Sequence, residues 1–452
     1  MTVEARTTRY LVALTLMWGA LSFQWTILIN NLVPTRVLLF ATEDTKGSLL
    51  GLVTLVGAVF YMLAGPIAGV LSDESRNRWG RRRPFLAVGM VANAGALLAM
   101  ISAPTVTTFV CAYAAVQLSM SLGGGPYTAL IPDQVPDGQR GTATGFAGFA
   151  EVLGRLSGAI VGGLMISLPG VAAALGSVLI FLPQRTRLDP MLPLVLLLIG
   201  VTLSGMFFTV VSVREDVTET GPRARRRHLL WHAFTFDVRS ESNFAWLLVA
   251  RGCRMLAIHT TVTFLLYYVR DYLGVADVGQ ANAKLGYLFA VASATTLPSA
   301  VIVGYLIDRY RHRKAWVAAS SVGLAVVCLA FLLVRDFGQA MAVGALFGVC
   351  YGAYFTSDWA LALSSLPTSD EAAKYVGIWG LAGTLPQVLA PGLGGVLLDG
   401  FNRMGPNLGY RVIFAGNMLY LLVGTALLAK VAEPGRCSPR APAQRAEPGP
   451  GH

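Results

Sequence analysis

One carboxylate, Asp358, interrupts a long apolar run in the sequence Thr356-Ser357-Asp358-Trp359. A charged side chain at such a depth in a membrane-spanning helix costs about 3 kcal/mol unless it is paired, protonated or wetted by a cavity. Burial favours the protonated form of a carboxyl group, so a carboxyl here can load and release a proton. We predict Asp358 as a proton-coupling residue. The alternative interpretation is a structural ion pair with an arginine of another helix.

Two further groups of charged residues occur inside apolar runs. Glu151 and Arg155 are four residues apart, so on a helix they share one face and can pair. The pair either holds its helix in the bundle or has a cavity role, with Glu151 as a proton-coupling candidate and Arg155 as a substrate-binding one. Arg251 and Arg254 are three residues apart, with His259 further along the chain.

Different explanations suit these three residues. Arg251 can extend to the membrane interface along its apolar stem, whereas Arg254 and His259 are harder to explain in that way. We therefore predict His259 as a third proton-coupling candidate and Arg254 as a cavity residue.

Amides and aromatic rings in the apolar runs suit a polyhydroxylated ligand, because amides bond hydroxyl groups and rings stack on sugar faces. Amides also hold membrane helices together, and aromatic residues also form interface belts. Arg155 and Arg254 are candidates for the substrate cavity. The other candidates are Gln24, Asn30, Asn31, Gln117, Tyr127, Tyr267, Tyr268, Trp379 and Gln387.

The sequence offers little for other chemistry. Its five cysteines are dispersed, so no disulfide or metal framework follows. It has no phosphate-binding Gly-x4-Gly-Lys-Ser/Thr loop, and no nucleophile or metal-ligand set converges in the apolar runs. We expect no enzyme activity, no metal and no cofactor, with a proton gradient as the energy source. The net charge of +11 lies in short loops and does not indicate nucleic-acid binding.

Composition defines the elements that carry these residues. Hydrophobic residues make up 54% of the chain and charged residues 13%, against roughly 25% charged in a soluble domain. Apolar runs of about 20 residues predict membrane-spanning helices. The predicted spans are 10–34, 47–71, 85–103, 107–131, 142–168, 191–213, 244–269, 284–307, 315–334, 339–366, 376–398 and 410–431. The run 169–190 is interpreted as an external connection.

The distribution of arginine predicts the topology. Arginine clusters lie in the loops after the second, sixth and eighth spans, which share one side with both termini, and positive charge favours the cytoplasm. We expect a multi-pass protein of a bacterial cytoplasmic membrane. The predicted units are an N-terminal six-helix bundle (1–213), a central cytoplasmic loop (214–243), a C-terminal six-helix bundle (244–432) and a disordered cytoplasmic tail (433–452).

Two stretches repeat between the halves of the chain. Gly69–Pro84 and Gly304–Lys314 both read Gly-x-x-x-Asp followed by an arginine cluster, and Leu130-x5-Pro136 parallels Leu361-x5-Pro367. A parallel six-plus-six repeat is typical of major-facilitator carriers, whose substrate site lies between the halves near the middle of the membrane. The predicted fold class is an all-α membrane protein with twelve transmembrane helices in two pseudo-symmetric six-helix bundles.

The chain resembles one branch of the major facilitator superfamily, that of glycoside–cation symporters and plant sucrose carriers. The resemblance rests on Gly69-x-x-x-Asp73, on Arg78-Trp79-Gly80-Arg81-Arg82-Arg83-Pro84 and on Gly125-Pro126-Tyr127-Thr128-Ala129-Leu130-Ile131-Pro132-Asp133. Plant sucrose carriers have an arginine in place of Thr128 and an acid near Gln117. The resemblance therefore implies neither sucrose as the substrate of this chain nor the proton-binding site of the plant carriers.

The resemblance implies that the repeated basic loops act as a cytoplasmic gate. In the superfamily the loop aspartate meets the N-terminal end of a helix in the opposite half and a nearby arginine. Glu74 stands where the first loop of the family has an arginine, whereas Arg309 keeps it. The residues implied as the gate are Asp73, Arg81, Arg82, Asp308 and Arg309.

A second pattern, of glycines, favours export of the substrate and not import. Gly145-x8-Gly154-x3-Gly158-Ala159-x2-Gly162-Gly163 resembles the glycine motif of proton-driven drug antiporters, except that Ala159 replaces its proline. Small residues at this spacing also permit close helix packing in any membrane bundle.

We conclude that the sequence favours a secondary active transporter that moves a small solute by alternating access, with proton-coupled symport of a sugar or glycoside preferred. One alternative is antiport efflux of a drug or secondary metabolite; another is a transport-dead membrane sensor. The expected partners are a small-molecule substrate and the lipid bilayer, with no nucleic acid, and the protein is expected to be a monomer.

Overall fold

The computed structural model describes residues 6–75, 79–166, 183–187, 189–213, 241–310, 312–365 and 372–431. Within these ranges the chain forms twelve long helices and no strands. The helices are α1 (Thr8–Ile27), α2 (Lys46–Glu74), α3 (Arg83–Ser102), α4 (Val106–Thr128), α5 (Arg140–Ile166), α6 (Leu192–Ser212), α7 (Ser242–Tyr267), α8 (Val278–Tyr310), α9 (Arg313–Leu333), α10 (Phe337–Ser365), α11 (Ala372–Asn402) and α12 (Leu408–Leu427).

Eleven of these helices are long and apolar enough to cross a membrane, as judged from the described residues. The twelfth is α7, whose apolar sequence contains Arg251, Arg254 and His259. The structure therefore confirms the predicted all-α membrane fold. The remaining helix, α7, carries the predicted site residues Arg254, His259 and Tyr267.

The helices extend past the predicted spans where polar residues continue the backbone hydrogen bonds. The apolar run 284–307, for example, is the central part of α8. After α1, a π-helical turn (Leu28–Leu32) and a short helix (Val33–Val37) complete the first span. The predicted central loop and tail lie almost entirely outside the described residues. Their boundaries stay a prediction.

Side-chain caps fix several helix starts. Thr7 accepts a hydrogen bond from the backbone N–H of Tyr10 at the start of α1. Thr105 forms a capping box with Thr108 at the start of α4. Asp277 Oδ1 accepts the Gln280 N–H at 2.7 Å at the start of α8. Such caps satisfy backbone donors that have no partner within the helix, so they define where each span begins.

The repeat predicted from the sequence recurs in the packing. In the first half α1 packs on α5 and α6, and α4 packs on α2 and α3. In the second half α7 packs on α11 and α12, and α10 packs on α8 and α9. The same pairs of helices therefore meet in both halves, which defines two pseudo-symmetric six-helix bundles.

We name the two ends of the bundle by their residues. The basic face carries Arg81, Arg82, Arg309 and Lys314, and α1 begins there. The far face is the opposite end, with Lys46, Arg270 and Asp399. Because twelve helices cross from face to face in turn, α12 ends at the basic face.

The halves meet through α2 with α11 and through α5 with α8. These contacts lie towards the far face, where glycines allow backbones to approach. A Cβ atom built at Gly395 would lie 2.0 Å from the Gly47 carbonyl oxygen, and one at Gly163 would lie 2.5 Å from that of Asn282. Among the described residues, the hydrogen bonds between the halves also lie at this end. Within the part of the chain that the structure describes, the space between the halves therefore opens towards the basic face.

Candidate functional site

The predicted coupling residue Asp358 lies in a buried cluster of charges within the second half. Its side chain is 2% exposed on α10 and pairs with two arginines of α7. Arg251 Nη1 donates a hydrogen bond to Oδ2, and Arg254 Nη2 lies 3.5 Å from Oδ1. The ion pair that stood as the alternative interpretation is therefore present, and it involves both arginines of α7.

Neighbouring helices hold the two guanidinium groups in place. The Arg251 guanidinium carbon lies 4.1 Å from the ring centre of Trp379 on α11, a cation–π contact. Arg254 donates from Nη1 to the Gly424 carbonyl of α12 at 2.9 Å and lies over the Tyr354 ring. The cluster thus joins α7, α10, α11 and α12. Arg254 is fully buried and Arg251 is 13% exposed, so Arg251 is the arginine nearer to water.

Glu151 and Arg155 form the predicted pair on α5, and it faces the second half. Arg155 Nη2 donates to Glu151 Oε1, and the two side chains are 56% and 36% exposed for arginine and glutamate respectively. Arg155 is within electrostatic range of His259 on α7, and the pair is within range of Tyr351 on α10. These groups therefore line the space between the halves from both sides.

Several predicted cavity residues pack inside one half. Gln24 donates from Nε2 to Asn93 Oδ1 at 2.9 Å, and Gln117 donates to the Tyr113 hydroxyl at 3.0 Å. Tyr127 donates to the Leu14 carbonyl at 2.6 Å, and Tyr268 donates to the Phe331 carbonyl at 2.7 Å. The four residues Gln24, Gln117, Tyr127 and Tyr268 are buried. In this conformation Gln24, Tyr127 and Tyr268 connect helices, and the Gln117 bond lies within α4.

Two other candidates lie at the closed end between the halves. Asn31 donates from Nδ2 to Asn282 Oδ1 at 3.0 Å, and Tyr267 donates to the Pro34 carbonyl at 3.1 Å. These contacts help to close the far face. Asn30 and Gln387 are half-buried, and Trp379 lies beneath Arg251.

The predicted gate residues contact neighbours within their own half. Asp73 pairs with Arg82 at 3.2 Å, and Arg82 Nε and Arg81 Nη2 donate to Asp133 Oδ2 at 2.5 and 3.0 Å. In the second half Asp308 is exposed, and Arg309 lies over the Tyr310 ring. With the basic face open, the latch between the halves stays a prediction for the other conformation.

A charged network closes the far face, and the sequence analysis did not identify it. Asp399 of α11 accepts hydrogen bonds from the backbone N–H groups of Gly47 and Ser48 at 2.9 and 2.6 Å. Negative charge at a helix N-terminus is stabilising, so this carboxylate binds the start of α2 from the opposite half. The sequence contains a signal for this contact, because Asp399 directly follows the apolar run of its helix, as Asp73 and Asp308 do in their helices.

Salt bridges continue the far-face network. Lys46 donates to Glu43 and to Asp271, and Arg270 donates to Glu43 at 2.6 Å. Partial burial opposes ionisation of Glu43, but its hydrogen bonds with Lys46 and Arg270 and their charges lower its pKa below 4.5. Glu43 is therefore ionised at neutral pH and joins the two halves. In sequence these residues look like ordinary loop charges, which is why they gave no signal.

Two six-helix bundles that repeat the same packing pattern are typical of secondary transporters. The sequence matches the profile of the Major Facilitator Superfamily over residues 11–370 and 247–450. The chain belongs to this superfamily, and its helices are those of a multi-pass membrane protein.

Curated relatives match short segments. An uncharacterized symporter of Synechocystis sp. is 42% identical over 79 residues, 17% of this chain and 14% of the relative. The general alpha-glucoside permease of Schizosaccharomyces pombe is 28% identical over 108 residues, 24% of this chain and 19% of the permease. The lactose permease of Lactobacillus helveticus is 24% identical over 148 residues, 30% of this chain and 23% of the permease. The chain thus spans less than a quarter of each one's length.

Solved structures share the whole fold. A bacterial homolog of the human lysosomal transporter Spinster, in an inward-facing and unoccupied conformation, superposes with a TM-score of 0.73 and 16% identity, over 95% of this chain and 98% of that one. A D-xylose–proton symporter superposes with a TM-score of 0.68 and 15% identity, over 95% and 99%. These similarities confirm the predicted fold.

Proposed function

We propose that the protein imports a sugar or glycoside together with a proton. The observation that carries this proposal is the buried carboxylate of Asp358, shared by Arg251 and Arg254 at the edge of the space between the halves. The curated relatives named for a symporter and for glucoside and lactose permeases support the substrate class, as does the fold of the D-xylose–proton symporter.

The cluster can couple a proton to a change in structure. As a carboxylate, Asp358 holds α10 against α7 through Arg251 and Arg254. Tyr354, one turn earlier on α10, lies beneath Arg254, while Trp379 of α11 contacts Arg251 and the Gly424 carbonyl of α12 accepts from Arg254. A proton on Asp358 removes the charge that attracts both guanidinium groups, so the contact between α10 and α7 weakens. Substrate binding and proton binding then act on the same helices.

We assign the basic face to the cytoplasm, because short loops rich in arginine remain on that side of bacterial membranes. The closed far face and open basic face then describe an inward-facing carrier, the state named for the Spinster homolog. In this state substrate and proton leave towards the cytoplasm. The opposite state needs the far-face network to open and the gate around Asp73 and Asp308 to close.

Helix packing accounts for the glycines of the α5 pattern from Gly154 to Gly163, so these glycines do not favour export over import. Cβ atoms built at Gly154 and Gly158 would lie 2.1 and 2.8 Å from the carbonyl oxygens of Gly19 and Phe23 on α1. Gly163 contacts α8 in the same way. These glycines therefore let α5 approach two neighbours, one in each half.

Proton movement in proteoliposomes tests the proposal. Purified protein is reconstituted with a pH-sensitive dye in the lumen, and neutral and acidic sugars, including D-xylose, lactose and D-glucuronate, are added outside. We expect at least one sugar to acidify the lumen, and an inward proton gradient to drive its accumulation. Alkalinisation on sugar addition, or sugar uptake without proton movement, would contradict symport.

A further inference from the structure

We propose that the protein binds an anionic phospholipid in a groove on the lipid-facing surface of its second half. An acyl chain lies between α11 and α12, and the phosphate lies at Arg403 and Arg411. This site is separate from the space between the halves and does not depend on the transported substrate. It follows from the shape and lining of the groove, from its depth in the membrane and from the charge at its end.

The groove lies between α11 and α12, with α7 beneath them, and has a volume of about 400 Å³. This volume falls within the range of small-molecule sites. Leu393 and Leu397 of α11 form one edge and are 51% and 38% exposed. Gly416 leaves space on the α12 side, because a Cβ atom built there has no atom within 4 Å. The groove is therefore open enough to admit a chain from the side.

The groove faces lipid and not the space between the halves. Leu393 and Leu397 lie in the last three turns of α11, towards the far face. Between them in sequence is Gly395, which contacts Gly47 of the opposite half. The two halves are thus closed against each other at this depth. Exposed apolar side chains of α11 at this end therefore face the bilayer.

Hydrocarbon suits the lining of the groove. Leu256 and Ile413 add apolar surface to that of the two leucines of α11. The buried polar side chains of the lining bond within the protein: Thr260 Oγ1 donates to the Leu256 carbonyl at 2.7 Å, and Asn417 Nδ2 donates to Thr261 Oγ1 at 3.0 Å. Because lipid tails are as apolar as this lining, close packing is the interaction that holds an acyl chain here.

The length of the groove matches one leaflet of the membrane. It follows α12 from Val412 to Tyr420, which is about 12 Å at a helical rise of about 1.5 Å per residue. One leaflet contributes about 15 Å, half of a hydrocarbon core of roughly 30 Å. Since α12 begins at Leu408 on the far face, the groove covers the depth of an acyl chain in the far-face leaflet.

Two arginines lie at the end of the groove that is nearest to the far face. Arg403 directly follows α11, and Arg411 lies in the first turn of α12. Both are exposed, and neither forms a salt bridge with the described residues. Arg403 donates from Nη2 to the Asp44 carbonyl at 3.1 Å, which leaves its other N–H groups available. Guanidinium groups match the oxygens of a phosphate, so these two arginines select an anionic headgroup.

Lipid titration of the full chain in detergent solution tests this proposal. Native mass spectrometry measures the binding of phosphatidylglycerol and of phosphatidylcholine with identical acyl chains. We expect phosphatidylglycerol to bind about fivefold or more tightly, because each arginine near a membrane surface favours an anionic lipid by about this factor. Glycerol phosphate, which has the phosphate without the acyl chains, should not displace the lipid.

Variants separate the contributions of the acyl chain and the headgroup. Gly416→Leu fills the groove and should abolish the tight binding, whereas Gly200→Leu on α6, where a Cβ atom also has no atom within 4 Å, should retain it. Arg403→Gln and Arg411→Gln should each lower the affinity for phosphatidylglycerol about fivefold and leave that for phosphatidylcholine unchanged. Arg335→Gln, at an exposed far-face arginine outside the groove, is the control for charge. If Gly416→Leu does not fold, the arginine variants decide the result.

Three results would overturn the inference: equal affinities for the two lipids, unchanged phosphatidylglycerol binding in Gly416→Leu, or a loss in Arg335→Gln as large as in the two groove arginines. Displacement of the lipid by glycerol phosphate would show a site for phosphate alone and would also overturn it. No transport is measured in these experiments, so their outcome is independent of the proposed symport.

Discussion

Polar side chains in this protein have two different tasks, and burial separates them. Gln24 is fully buried and hydrogen-bonded to Asn93, whereas Gln387 on α11 is half-buried. A buried amide that loses its partner leaves the other polar group unsatisfied, but a group that water reaches can exchange one partner for another. Stability and transport should therefore respond to different amides.

We predict that Gln24→Ala lowers the free energy of unfolding by about 1–3 kcal/mol, because it leaves Asn93 Oδ1 without its donor and opens a cavity. Gln387→Ala is the matched control and should change stability by less than about 0.5 kcal/mol. Unfolding in detergent solution, followed by tryptophan fluorescence, measures both. Equal losses from the two substitutions would contradict the distinction between structural and cavity amides.

At the residue scale, the sequence identified the charged groups but not their partners. Asp358, Glu151 and Arg155 are exceptional in apolar runs, so a search for membrane-buried charge finds them. The sequence favours an Arg251 side chain that extends to the membrane interface. In the structure this side chain instead pairs with Asp358 and stacks on the Trp379 ring. Which faces of four helices converge depends on their rotation and crossing, which a single sequence does not encode in any local pattern.

At the scale of elements, glycines decide how closely the helices approach. Cβ atoms built at Gly348 and Gly352 of α10 would lie 2.0 and 2.4 Å from the carbonyl oxygens of Ala292 and Thr296 on α8. The matching pair α2 and α4 has the same feature, with a Cβ at Gly125 only 2.9 Å from the Gly65 carbonyl oxygen. Close packing at small residues thus builds both halves.

We predict that Gly348→Ala destabilises the protein by about 1–3 kcal/mol, since the added methyl group meets backbone atoms that cannot move aside independently. Gly200→Ala on α6 adds the same group where no atom lies within 4 Å. It should leave the thermal unfolding midpoint unchanged or slightly raised. A Gly348→Ala variant as stable as Gly200→Ala would show that α8 and α10 do not pack in this way.

Hydropathy was sufficient to predict the twelve helices but not their pairing. Each apolar run is long enough to span a bilayer, and the recurrence of the basic loops gave the two-fold repeat. The far-face contacts of Gly47 and Gly395 combine segments from opposite halves. Nothing within either segment distinguishes a glycine that meets another helix from one that faces lipid.

At the scale of the whole molecule, the far face is held shut from one half to the other. The carboxylate of Asp399 binds the N-terminus of α2, and the salt bridges of Lys46 and Arg270 lie beside it. Asp73 ends α2 at the basic face. A carboxylate therefore lies at each end of α2: Asp399 of α11 at its start and its own Asp73 at its end.

We predict that Asp399→Asn favours opening of the far face, because the neutral amide loses the charge attraction to the start of α2. Spin labels are attached at Pro104→Cys and Arg335→Cys in a variant without native cysteines. Double electron–electron resonance then measures the distance between the two labels across the far face. The population of longer distances should rise. Asp277→Asn, which affects a cap within α8 alone, is the control. An unchanged distribution in Asp399→Asn would contradict the role of this contact in closure.

The most direct test of the account is to separate coupling from binding at Asp358. In proteoliposomes, Asp358→Asn should abolish accumulation driven by an inward proton gradient, while exchange of internal for external substrate without a gradient continues. Asp336→Asn, at an exposed aspartate that caps α10, should retain both activities. Gradient-driven accumulation by Asp358→Asn at the level of the unmodified protein would contradict the claim that a proton on Asp358 drives transport.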